Sequence, residues 1–214
     1  MGFFSSKNKK KEVGGFIKYF RLEEWFANLT EEEKQKMKKY SSMGIGGDPK
    51  HLEYGDIFST SQTQQGFLES IGFNAVSGKD YDFAEKVLFK ALQAVDDNPS
   101  NRHFAYQSLI ELYYKQRDTL PNAIDECIKY CIEDIKHIEE FIEAWKKEQL
   151  KIGRLDNQIF LPSVLSLERL ATIYEKQEKI KEAIEICNIA LKYDLEDSIR
   201  GGFEGRKAKL QNKL

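Results

Sequence analysis

The sequence is poor in the residues that most often carry chemistry or interrupt helices. Its 214 residues include three cysteines, four prolines and three histidines. The cysteines form no Cys-x-x-Cys pair, and an odd number of thiols cannot all pair within one chain. Neither a disulfide framework nor a four-cysteine zinc site is therefore expected. So few prolines, in a chain rich in lysine, glutamate, isoleucine and leucine, favour helix.

The sequence also lacks a large excess of either charge and any long apolar run. A net charge of -2 and a pI near 6.0 provide no global attraction to nucleic acid. Few of the basic residues are arginine, which most often contacts phosphate and guanine. No apolar run approaches the roughly 18 residues of a membrane-spanning helix. Unpaired thiols predict a reducing, cytoplasmic location, with the cytoplasmic face of a membrane as the alternative.

Recognisable catalytic and metal-binding motifs are missing as well. His51, His103 and His137 belong to no His-Glu-x-x-His pair. Asp134-x-x-His137 occurs once, whereas a di-iron bundle needs two such copies, so a solvated charged face is predicted there. Cys127 and Cys131 lie one helical turn apart in an apolar stripe, which predicts core thiols. The sequence therefore predicts no enzyme, no cofactor and no metal.

A repeated pattern of large and small apolar residues dominates the rest of the chain. In residues 164–197 the pattern comprises Leu167, Leu170, Ala171, Tyr174, Ala183, Cys187 and Ala190. In residues 65–98 the same register comprises Leu68, Ile71, Gly72, Ala75, Ala84, Leu88 and Ala91. A looser copy has one extra residue in its turn and comprises Tyr106, Leu109, Ile110, Tyr113, Ala123 and Cys127. Such spacing predicts pairs of packed helices.

This spacing resembles the tetratricopeptide repeat (TPR), over about two-thirds of the chain. The usual tryptophan position holds Leu in both good copies, and the closing proline is displaced or absent. The resemblance implies an all-α fold, a TPR-like helical-hairpin array (α-solenoid), with an extra N-terminal helical segment. After the second copy the apolar period continues to about Leu150, which predicts one overlong helix.

The predicted organisation follows from these patterns. Gly14-Gly15 ends a lysine-rich segment, and Thr30 with Glu33 forms a capping box before a polar helix. The predicted units are a flexible basic tail at 1–15, a helical segment and Gly-rich loop at 16–58, and a TPR-like domain at 59–214 with repeats at about 65–98, 103–150 and 164–197 and a capping helix at 198–214.

The resemblance also implies a binding surface, the concave groove, made of first-helix residues that packing does not use. Its residues are Glu69, Phe73, Val76, Phe104, Gln107, Glu111, Tyr114, Leu165, Glu168, Thr172 and Glu175. Acidic and aromatic side chains favour a basic or amphipathic helix as partner, and the Lys/Asn clamp for a C-terminal carboxylate is not matched. The chain's own N-terminal helix, with Phe16, Phe20, Trp25 and Phe26, is an equally open occupant.

Together these features predict a non-catalytic protein- or peptide-binding scaffold or adaptor, with no nucleic acid as partner. Two alternatives stay open. The tail has a myristoylation-like Met1-Gly2-x-x-x-Ser6 followed by lysines, and Phe3-Phe4 beside them, which is compatible with a peripheral membrane adaptor. A peptide-regulated protein, in which the overlong helix couples the groove to another surface, is the second.

Overall fold

The computed structural model describes residues 13–45, 48–94 and 97–214. Within these ranges the chain is helical and contains no strand, which confirms the predicted all-α class. No helix of these ranges is long and apolar enough to cross a membrane. The predicted basic tail lies outside the described residues up to position 12, so its membrane-binding features are a matter of sequence alone.

The N-terminal segment forms three helices: α1 (Gly15–Tyr19), α2 (Glu23–Ala27) and α3 (Glu31–Ile45). The predicted capping box is present at the start of α3. The Thr30 amide donates to Glu33 Oε2 at 2.8 Å, and the Glu33 amide donates to Thr30 Oγ1 at 3.2 Å. These two bonds satisfy amides that a helix start leaves without internal partners, which is why α3 begins there.

Three helical hairpins make up most of the remaining chain. They are α4 (Gln64–Ser77) with α5 (Tyr81–Leu92), α6 (Pro99–Lys115) with α7 (Ala123–Lys136), and α9 (Leu165–Lys176) with α10 (Ile180–Lys192). Each first helix packs on its own second helix, α5 also packs on α6, and α7 on α9. The helix α11 (Gly202–Gln211) packs on α10 and closes the array. The predicted array of helical hairpins is thus confirmed.

The repeated register is buried as expected. Ala84, Leu88 and Ala91 on α5 and their counterparts on α10 are fully inaccessible. Gly72 shows why a small residue stands at its position, since a Cβ there would lie 2.5 Å from the Leu88 side chain. The three cysteines are buried at packing positions of α7 and α10, in agreement with their predicted place in the core.

The prediction of one overlong helix is wrong. The segment is two helices, because α7 ends at Lys136 and α8 (Ile138–Lys151) begins after His137. The His137 amide bonds to the Asp134 carbonyl at 3.0 Å, a tighter turn than an α-helix makes. The turn directs α8 onto α6. The apolar period continues through it because α8 still buries Ile138, Phe141 and Ile142.

The last helix also differs from its prediction. It begins at Gly202, after the left-handed Gly201, and not at Ser198. Arg206 on this helix is buried and forms an ion pair with Asp197. The segment from 193 to 201 is therefore a loop that leads back over α9.

The N-terminal segment caps the first end of the array. Phe16 and Phe20 of α1 stack on the buried Phe67 of α4, with ring centroids 5.6 and 4.8 Å apart. Tyr40 of α3 stacks on Phe83 of α5 at 6.2 Å. A different face of α4 packs on α6. On that face, Glu69 accepts a hydrogen bond from Ser108 of α6. Phe20 and Tyr40 are thus buried and Phe16 is half-buried at the end of the array, on the side of α4 away from α6.

Candidate functional site

The concave groove predicted from the sequence maps onto the first helices of the three hairpins, α4, α6 and α9. Its residues differ widely in how accessible they are. Phe73 is 56% exposed, whereas Val76 is buried and forms part of the core. The remaining groove residues are half-buried, and most of them bond to other parts of the chain. The groove is therefore only partly open.

Helix α8 covers the middle of the groove. Phe104 packs edge-to-face against Phe141 and Trp145 of α8, at centroid distances of 6.1 and 6.0 Å. The Trp145 Nε1 donates to the Phe160 carbonyl at 3.0 Å, which ties α8 to the connector that follows it, residues 152–164. Phe104 was predicted to face a partner. Instead its partner is α8, because the break at His137 lets the chain turn back across α6.

A buried polar network lies beneath α8. The Gln107 amide donates to the Ser163 carbonyl at 3.1 Å and also contacts His103 Nε2. With that nitrogen as acceptor, His103 Nδ1 donates to Asp134 Oδ1 at 2.8 Å, and the imidazole stacks on Phe141 at 3.7 Å. His103 and Asp134 are each 2% exposed. The network joins α6, α7, α8 and the connector through one chain of contacts.

Sequence reasoning missed this pair. Asp134 was assigned to a solvated face together with His137, but only His137 is accessible there, and it contacts Glu140 at 3.4 Å. The signal that could have found the pair is the position of Asp134 itself. It falls one turn after Cys131 in the apolar stripe of α7, where a carboxylate needs a buried partner.

The acidic residues further along the groove are compensated from within the chain. Arg169 places its guanidinium 4.0 Å from the Tyr114 ring and 3.1 Å from Glu111. Glu175 accepts from Lys213 at 2.7 Å and lies 3.5 Å from Arg206. Arginine and lysine side chains of the same chain therefore neutralise Glu111 and Glu175, which the sequence predicted as free negative charges in the groove.

Thr172 and Glu168 are engaged by the same C-terminal region. Arg206 donates to Thr172 Oγ1 at 3.2 Å, and Ser198 Oγ donates to Glu168 Oε2 at 2.7 Å. Ser198 leaves the second carboxylate oxygen of Glu168 available. Of these two predicted groove residues, Thr172 is thus a structural link to α11, and Glu168 keeps a polar face toward solvent.

Among the groove residues, Glu69 has a strongly raised pKa. It lies at the contact of α4 with α6, and its bond from Ser108 Oγ is long, at 3.4 Å. Burial, only partly offset by this bond, raises the pKa of Glu69 from 4.5 to about 7. At neutral pH the carboxyl is therefore partly protonated, and the acidic character predicted for this end of the groove is weakened.

The raised pKa predicts a loss of stability as pH rises. Between pH 4.5 and 7 the unfolded chain releases the Glu69 proton while the folded chain retains it. The free energy of unfolding should therefore fall by about 2 kcal/mol across this window, less than the full shift because the carboxyl keeps some exposure. Urea unfolding of wild type and Glu69→Gln at several pH values measures the difference. If the difference in unfolding free energy between wild type and Glu69→Gln stayed constant with pH, the assignment would be contradicted. The control is Glu143→Gln, because Glu143 is exposed on α8.

The open part of the groove is a cleft of about 760 Å³ at its third hairpin, here the acidic cleft. It lies between the connector that follows α8 and the loop from 193 to 198. Its apolar lining includes Phe160, Leu161 and Leu165, and its accessible carboxylates are Glu168, Asp194 and Glu196. Lys146 is the one basic residue among those that line it. Phe160 is 78% exposed.

Comparison with known proteins provides one relative. An uncharacterized protein of Aquifex aeolicus (strain VF5) is 30% identical over 182 residues, which cover 82% of this chain and 83% of that protein. No family model matches the chain, and no solved structure matches it. Among the described residues, no group of three or more His, Cys, Asp or Glu side chains is arranged to hold a metal ion. What the groove can bind therefore has to be inferred from its own side chains.

Proposed function

This chain and the Aquifex aeolicus protein belong to one family, and we propose that the present chain is a divergent TPR-like module that binds a protein or peptide and does not catalyse a reaction. The matched burial of α4–α5 and α9–α10 supports this assignment. So does the turn within the first and third hairpins, where Lys79 and Glu178 occupy equivalent left-handed positions with φ of 62° and 60°. Repeated turns and repeated packing are expected of a helical repeat.

The acidic cleft is the proposed binding site. The observation that carries the proposal is the exposed Phe160 ring beside three accessible carboxylates, on the groove side of the array. A basic amphipathic helix would bury apolar side chains against Phe160 and Leu165 while its cations approach Glu168 and Glu196. Apolar contact supplies affinity in such complexes, and opposite charge sets orientation and association rate.

The position of α8 limits how a partner can lie. Phe104 and Gln107 are occupied by α8 and the connector, so a ligand that ran along the whole groove would have to displace them. We place the partner at the third hairpin alone. The regulatory alternative, which required one long helix to transmit a signal, loses its basis because α7 and α8 are separate helices.

The proposal is tested by asking whether a partner that the wild-type protein captures is lost when the acidic cleft is altered. The double variant Phe160→Ala with Glu196→Lys removes the exposed ring and reverses one charge, without altering a buried residue. In capture from native lysate with quantitative mass spectrometry, it should reduce specific partners about tenfold, which corresponds to about 1.4 kcal/mol. The matched control is Phe58→Ala with Glu23→Lys, both exposed and distant in sequence. Equal recovery by the cleft variant and wild type would overturn the proposal.

Location and membrane contact are part of the proposal. Three free, buried thiols fit a reducing compartment such as the cytoplasm. A peripheral membrane role would depend on the lysines and paired phenylalanines within residues 1–12, and liposome flotation with and without these residues tests it. Equal flotation of the full chain and the truncated chain would exclude the tail.

A further inference from the structure

A second cleft, of about 510 Å³, lies between the first and second hairpins. We call it the tyrosine cleft. It is formed by α5, the C-terminal half of α6, and α7, whereas the acidic cleft belongs to α9 and the connector. The side chains that matter to its chemistry are Tyr81, Asp82, Glu85, Tyr113, Glu126 and Tyr130. Its volume is within the range of pockets that hold small ligands or single side chains.

The aromatic wall of this cleft is rigid. The Tyr113 and Tyr130 rings are parallel to within 6°, with centroids 5.6 Å apart, and both side chains are buried. Phe89, which also lines the cleft, contacts Tyr130 with ring centroids 6.1 Å apart. The Tyr113 hydroxyl donates to Glu85, which fixes the ring and orients the carboxylate. Tyr81 is only half-buried at the mouth of the cleft, and an accessible aromatic face attracts cations through the ring quadrupole.

The charges of the cleft also favour a cation. Three carboxylates line it, Asp82, Glu85 and Glu126, against the single cation Lys129. Lys129 is already used, since it pairs with Glu126 at 2.8 Å and lies 4.8 Å from the Tyr130 ring. Asp82 is exposed and has no ion-pair partner among the residues that the structure describes. The cleft therefore has a net negative charge next to an aromatic wall.

Another site in this protein shows which cation pairs with a tyrosine ring and a carboxylate together. In the concave groove, the Arg169 guanidinium lies 4.0 Å from the Tyr114 ring and pairs with Glu111 at 3.1 Å. The tyrosine cleft offers tyrosine and carboxylate in the same combination but has no arginine among its lining residues. A guanidinium is planar, stacks on aromatic rings and donates two parallel bonds to a carboxylate, none of which an ammonium does as well.

We propose that the tyrosine cleft binds an arginine side chain of a partner protein, with the guanidinium against the half-buried Tyr81 ring and paired with Asp82 and Glu85. The site is distinct from the acidic cleft. It would provide a second point of attachment on the side of the array where α5 and α7 lie. Two attachment points separated in this way raise the overall affinity for a partner that spans both.

In the test, Nα-acetyl-argininamide is titrated into the full chain as the probe, and binding is measured from amide chemical shifts in ¹H–¹⁵N NMR spectra. Saturable shifts are expected at α5 and α7 amides at millimolar concentration, and binding should weaken about threefold in Asp82→Asn. The neutral, isosteric Nα-acetyl-citrullinamide should bind about tenfold more weakly. Asp125→Asn is the matched control, because Asp125 is exposed on α7 and does not line the cleft.

Equal binding of the citrulline compound, unchanged binding in Asp82→Asn, or no saturable shift at α5 and α7 would each overturn the inference. Equal binding of Nα-acetyl-lysinamide would reject the preference for a guanidinium. Shifts confined to residues of the acidic cleft would also reject this site. The proposed function is tested separately at Phe160 and Glu196, so either can fail without the other.

Discussion

Replacing Asp134 with alanine is expected to lower the free energy of unfolding by about 4 kcal/mol, the size typical of breaking a buried polar pair from one side. Asp134 and His103 are almost inaccessible, and their contact measures 2.8 Å. The loss leaves the imidazole without its acceptor in the region where α6, α7 and α8 meet. Because His103 also contacts Gln107, the connector at Ser163 should loosen as well.

Urea unfolding monitored by circular dichroism measures this loss. Asp134→Asn keeps the size of the side chain and one acceptor oxygen, so a smaller decrease of about 1–2 kcal/mol is expected. Asp125→Ala, on the exposed face of the same helix, should change the free energy by no more than about 0.5 kcal/mol. If Asp134→Ala unfolded like Asp125→Ala, the pair would not hold the α7–α8 turn.

Replacing Phe67 with alanine should cost about 4 kcal/mol as well, as expected for a large aromatic removed from a packed core. Phe67 is fully buried, and its ring is stacked by Phe16 and Phe20 from the N-terminal segment. Its removal takes away both the contact area and the site on which α1 rests. The first end of the array would then expose apolar surface that the N-terminal segment now covers.

Hydrogen exchange separates the loss of the α1 contact from the loss of packing in the core. Amides of α1 should exchange faster in Phe67→Ala, and a global decrease in urea stability should accompany the change. Phe58→Ala removes the same side chain where it is 94% exposed and should alter stability by about 0.5 kcal/mol or less. Unchanged protection of α1 in Phe67→Ala would show that the N-terminal segment does not depend on this stack.

Local patterns were sufficient to predict the hairpins. Ala84, Leu88 and Ala91 repeat at helical spacing, and only one face of a helix satisfies that spacing, so a buried face could be derived without knowledge of its partner. The capping box at Thr30 and Glu33 needs only residues three positions apart. The turn before α5 falls at Ser77-Gly78-Lys79-Asp80, a cluster of residues that disfavour helix. Each of these signals is contained within a few turns of the chain.

The candidate site was predicted less well. Leu165 and Glu168, two of the predicted groove residues, line an open cleft. The positions of Phe104 and Gln107 do not, because α8 lies over them. Periodicity in α8 correctly indicated a buried face, but it carried no information on the helix against which that face would pack.

The sequence by itself determined the helical hairpins, their register and their turns, since these depend on interactions between near neighbours. Only the tertiary structure decided that the chain turns at His137, that His103 meets Asp134, and that Phe160 is left exposed beside the acidic cleft. Those outcomes depend on contacts between residues far apart in the chain. A tight turn of a single residue barely disturbs the apolar period, yet it redirects a whole helix and thereby sets which part of the groove stays open.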